Sequence, residues 1–198
     1  MPTLLMEQME FLYTALETFD KTDKAGIGWD KYVQWSKLRQ LTEVVSLDGM
    51  LNKKLIEPDY KNADDWNFIH TSGQYITGLF TSLKYVLHKC ENEENFNLLK
   101  VIINPSQNVK DIAVDNYEFL GYELLDQEFG NSALTNCGGF DETFLPTDLN
   151  KVGLIDDFKQ AYDIKKQLLE NNSEEHHADT NVIAVWRHKT IGRGKPSR

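Results

Sequence analysis

The stretch Tyr117–Gly139, YEFLGYELLDQEFGNSALTNCGG, reads as a strand that wants cover on both faces, followed by a polar loop containing glycine. Side chains alternate along an extended chain, so Tyr117, Phe119 and Leu125 share one face while Leu120, Tyr122 and Leu124 share the other. Two apolar faces predict a central strand. The loop behind it collects Thr135, Asn136 and Cys137, which can donate, accept or attack. Gly138 and Gly139 beside them let a backbone come close.

On either side of this stretch the pattern changes. LLKVIIN (98–104) predicts a buried strand stopped at Asn104-Pro105, and residues 111–115, where Ile112 and Val114 alternate with acids, predict a one-sided strand. Downstream, Leu154, Phe158, Ala161, Tyr162, Leu168 and Leu169 fall at helical spacing. Asp156 and Asp157 come early and Lys165 and Lys166 late, which suits the helix dipole. NVIAVWR (181–187) predicts a second central strand.

Upstream the texture is helical. Leu5, Met9, Leu12, Leu16 and Phe19 predict an amphipathic helix over 3–19, and a shorter helix from Trp29 carries Tyr32, Val33 and Trp35 as packing anchors. Ile76, Leu79, Phe80, Leu83, Leu87 and Cys90 predict a helix over 75–90, capped by Ser72, with Cys90 as a small buried residue. LTEVVSL (41–47) has the β-branched content of a short strand. The expected fold class is α+β, a helical N-terminal part packed on a mixed or antiparallel sheet with one long covering helix. One domain over 1–198 comprises a helical subregion (1–90), an α/β sheet subregion (96–189) and a basic mobile tail (189–198), with the charged run ENEEN (91–95) as the internal boundary.

Composition narrows the function. Apolar runs such as Val101–Ile103 are far shorter than the roughly 20 residues of a membrane span. The opening MPTLLMEQMEF lacks the basic region of a signal peptide, and two cysteines build no disulfide framework, so the expected compartment is the cytoplasm with reduced thiols. The net charge of −10 is uneven. Residues 1–110 carry 12 basic and 15 acidic side chains, 111–179 carry 4 and 16, and 180–198 carry 5 and none. A segment so acidic argues against a nucleic-acid surface and for docking of a basic protein, although an acidic exterior also serves solubility alone.

The chemistry-bearing clusters are few. P-loop, dinucleotide and serine-hydrolase fingerprints and CxxC pairs are all missing from the sequence, so no cofactor is expected. Cys137, in a turn that offers backbone amides, with His177 (or His176) as base, would make a small hydrolase, and His177 with Asp179 would supply part of a metal site. The blander readings are a small residue in a tight turn and histidines near a helix C-terminus. The leading expectation is a non-enzymatic cytosolic binding protein. Its carboxylates Glu123, Asp141, Glu142 and Asp148 would meet lysines and arginines of a basic partner, and Phe140 or Phe144 would anchor the contact. In size, acidity and lack of catalytic signature the chain resembles bacterial immunity or inhibitor proteins, which implies a toxin or enzyme as that partner.

Overall fold

Four segments pair as strands: β1 (Leu12–Glu17), β2 (Phe96–Ile103), β3 (Tyr117–Asp126) and β4 (Thr180–His188). They form one antiparallel sheet in the order β1-β2-β4-β3, which makes the fold α+β. The computed structural model describes residues 10–17, 32–36, 41–49, 56, 78–135, 143–171 and 178–192. Among the described residues the helices are α1 (32–36), α2 (Leu83–Lys89) and α3 (Phe158–Asn171), with a 3-10 turn at Pro146–Asp148.

β2 and β4 are the central strands, and almost every side chain on both is buried. β3 is also largely buried but lies at the margin of the ladder, contrary to the expectation of a central strand. Loops take the place of a neighbouring strand. Tyr122 exchanges backbone hydrogen bonds with Ile155 (2.8 and 3.0 Å), the Ala133 N–H donates to Leu124 O at 2.9 Å, and the Asp126 N–H donates to Asn131 O at 2.9 Å. This close approach requires Gly121, where the register shifts and φ is +142°. A Cβ there would stand 2.8 Å from both Ile155 O and Leu154 Cβ. Asn150 holds the covering loop: its Nδ2 donates to Leu120 O and Asp156 Oδ1, both at 2.7 Å, and its Oδ1 accepts the N–H groups of Val152 and Leu154.

The N-terminal part corrects the sequence expectation. Residues 12–17 are a strand and not part of a helix over 3–19. Leu12 and Leu16 are four apart, a spacing that fits a helix turn and an even strand step equally, and pairing with β2 decides between them. Of the expected helix over 75–90, residues 78–82 are not helical and α2 starts at Leu83, where the Ser82 hydroxyl accepts the Tyr85 N–H, while residues 75–77 and the expected cap Ser72 lie outside the described residues. Phe80 instead exchanges backbone hydrogen bonds with Tyr13 (2.7 and 2.8 Å) along the outer side of β1. Residues 111–115 form turns in place of a one-sided strand, and 41–47 form an extended strap bonded to the 151–152 turn through Thr42 and Val45.

These elements leave two packed faces. On one, Phe158 of α3 packs edge-on against Tyr122, while Ala161, Ile164 and Leu168 are buried, and α2 closes a smaller core with Ala15, Phe80, Tyr85, Cys90, Phe96 and Leu98. On the other, the strap and α1 cover the sheet, and Trp35 lies between Tyr32 and Phe144. Among the described residues no helix is long and apolar enough to cross a membrane. Residues 189–192, the start of the basic tail, are held by Lys189 N–H to Asn116 O and Phe96 N–H to Gly192 O.

Candidate functional site

Beyond the Gly121 bulge, β3 delivers Glu123 into the interior on the side covered by the strap. Its Oε1 accepts the Ser132 hydroxyl at 2.7 Å and the Leu124 N–H at 3.0 Å, and its Oε2 accepts the Leu47 N–H at 3.2 Å. The Ser132 Oγ in turn accepts the N–H groups of Leu134 (3.0 Å) and Thr135 (3.2 Å), while the Ser132 N–H donates to Asp48 Oδ2 at 2.9 Å. The Ser46 and Thr135 hydroxyls complete the cluster 2.9 Å apart. Burial pushes the Glu123 carboxyl up to about 7, with Asp48 adding to the rise and the three donors opposing it. A serine hydroxyl held by a carboxylate has the parts of a nucleophile. Ser132 is wholly buried, however, and its oxygen is already occupied, so the cluster locks the 132–135 turn to the strap.

This geometry corrects two expected contact residues. Glu123 is fully buried and cannot meet a partner's cations, because β3 is covered on the very face that carries it. Phe144 is 3% exposed and packs edge-on against Trp35, a core position and not an anchor for docking. Asp148 is partly buried, its Oδ2 accepting the Leu145 N–H at 2.7 Å and its Oδ1 accepting Gln160 Nε2 at 2.9 Å. Asp179 is exposed and bonded to Gln127 Nε2 at 3.2 Å, with Lys165 Nζ 4.0 Å away. Cys137, Phe140, Asp141, Glu142, His176 and His177 lie outside the described residues. Among the described residues, no three His, Cys, Asp or Glu side chains group to hold a metal. Cys90 is buried, and burial first, then Glu93, pushes its thiol up to about 11, far from a reactive thiolate.

The exterior of 111–179 is acidic in a particular way. Asp111, Asp115, Glu128, Asp156, Asp157, Asp163, Glu170 and Asp179 are exposed. The three lysines of α3 are already taken by Asp163, Asp179 and Glu170. Asp157 and Asp111 both raise the Tyr122 phenol, behind the larger effect of its burial. Burial lowers the Lys100 ammonium from its ordinary value, and Asp115 opposes that shift.

From Tyr122 a continuous run of edge-to-face rings crosses the sheet through Phe119 and Trp186 to Phe11, with centroid separations of 5.2 to 5.8 Å. At its far end sits Lys100, whose ammonium is 3.9 Å from the Phe11 ring centroid. Sequence reasoning passed over Lys100, although one charge inside the apolar run LLKVII was a signal that could have found it. It also missed Asp48 and Ser132, which are 84 residues apart and which no local pattern joins.

Comparison with known proteins adds no family: no family model, no curated protein and no solved structure matches the chain.

Proposed function

We propose that this chain is a binding protein that docks a basic protein through exposed carboxylates at the Asp111, Asp115 and Asp157 end of its acidic segment. The observation that carries this reading is an imbalance at the surface. Eight acids of 111–179 are exposed, and the lysines of α3 pair with three of them; the other five, Asp111, Asp115 and Asp157 with Glu128 and Asp156, have no ion pair among the described residues. Half-buried Phe119, Phe158 and Tyr162 belong to the neighbouring face, so a partner's arginine would find carboxylates beside ring surface. Such a surface raises the encounter rate of a cationic partner and suits an inhibitor or immunity protein that neutralises a basic enzyme or toxin in the cytoplasm.

The test uses the full chain as bait at low salt, identifies the proteins retained, and measures the affinity of each against salt. The expected partner is basic, weakens steeply between about 50 and 300 mM salt, and binds Asp111→Asn/Asp115→Asn/Asp157→Asn at least about tenfold more weakly. A partner that is not basic, or that binds the triple variant as it binds the wild type, contradicts this reading.

A further inference from the structure

Around Lys100 the sheet carries a group of hydrogen-bond donors that find no acceptor among the described residues. Lys100 lies in the middle of β2, in register with Tyr13 on β1 and Trp186 on β4, so the three side chains share one face. Its Nζ is 3.9, 5.3 and 5.7 Å from the ring centroids of Phe11, Tyr117 and Tyr13. The amine is only partly exposed, and among the described residues no carboxylate reaches ion-pair distance from it.

Two further donors in the same ring cluster are orphaned. Trp186 is 1% exposed and Tyr117 8% exposed, and among the described residues neither the indole N–H nor the phenol has a hydrogen-bond partner. His188 adds a third. Its ring packs edge-on against Tyr117 at 4.9 Å, and its Nδ1 accepts the N–H groups of Thr190 (3.2 Å) and Ile191 (3.0 Å). Those two bonds assign the ring proton to Nε2, so the free nitrogen is again a donor.

A half-desolvated ammonium without a counter-ion, beside buried donors without acceptors, is an arrangement that an anion completes. One cation, with Asp115 close enough to act on it, favours a single negative charge over a dianion. The surrounding rings favour an apolar, flat body behind that charge. We propose that this face of the sheet binds a small monocarboxylate with a planar apolar body, its oxygens taken by Lys100 Nζ, the Tyr117 hydroxyl and the Trp186 indole N–H. The site is independent of the acidic docking surface, since it depends on donors and not on carboxylates.

The experiment follows the Trp186 indole resonance of the full-length ¹⁵N-labelled protein during titration with benzoate, benzamide, acetate and inorganic phosphate. Benzoate is expected to shift it saturably, with benzamide, acetate and phosphate each at least about tenfold weaker. Lys100→Met is expected to lose about tenfold or more in benzoate affinity and Tyr117→Phe about threefold, both at unchanged circular dichroism. Should Lys100→Met fail to fold, Lys100→Gln serves in its place. Absence of a saturable shift, equal binding of benzamide, tighter binding of phosphate, or wild-type affinity in the Lys100 variant would each overturn the site.

Discussion

Glu123 is a carboxylate that the fold has taken wholly out of water while giving it three donors. Its proton is bound more tightly in the folded chain, near 7, than the ordinary value of 4.5. The sign follows from linkage: the folded state holds more protons than the unfolded one between these values, so stability from this group is full below about 4.5 and is lost as pH rises through about 7. Urea unfolding across that window should show Glu123→Gln gaining on the wild type by about 3 kcal/mol as pH rises. A constant difference between the two proteins would mean that Glu123 titrates normally. Gly121 gives a second prediction at this scale. Gly121→Ala should destabilise by roughly 2 to 4 kcal/mol, because the new methyl meets Ile155 O and Leu154 Cβ at 2.8 Å on a backbone with positive φ. A thermal midpoint unchanged from wild type would contradict it.

At the level of elements, Arg187 ties three of them together. It projects from β4, is 4% exposed, and donates to Glu118 of β3 at 2.9 and 3.0 Å and to Glu43 of the strap. Arg187→Ala should cost roughly 2 to 3 kcal/mol by removing the charged hydrogen bonds that the buried guanidinium makes to partly buried Glu43 and to Glu118, and adding Glu43→Gln should restore part of that loss in a double-mutant cycle. Additive losses would show the pair to be uncoupled. The elements also differ in how far they could be read from the residues alone. β2, β4 and the apolar alternation of β3 were legible because their side chains are buried on both faces. β1 was not, since its leucine spacing serves two periods, and Phe80 belongs to the helical stripe of 75–90 while bonding as extended chain. The marginal place of β3 could not be seen either, because a loop at 154–155 supplies the cover that a neighbouring strand otherwise would. Of the candidate site, Lys100 was visible as a charge out of place, whereas the Glu123 cluster draws on strap and turn residues with no shared motif.

For the whole molecule, the ladder order sets where the fold opens first. β2 and β4 each have a strand on both sides, whereas β1 relies on Phe80 at its outer side and β3 on loops. Native-state hydrogen exchange should therefore be slowest at Val101, Ile102, Ala184 and Val185, and faster at Thr14 and Ala15. Slower exchange in β1 than in β4 would contradict this order. The hydrogen bonds that Ile155, Ala133 and Asn131 make to β3 carry one more consequence. A second chain seeking to lengthen the sheet beside Tyr122, Leu124 or Asp126 finds those backbone groups already satisfied, and the molecule is thereby guarded against strand-by-strand polymerisation into fibres along that side.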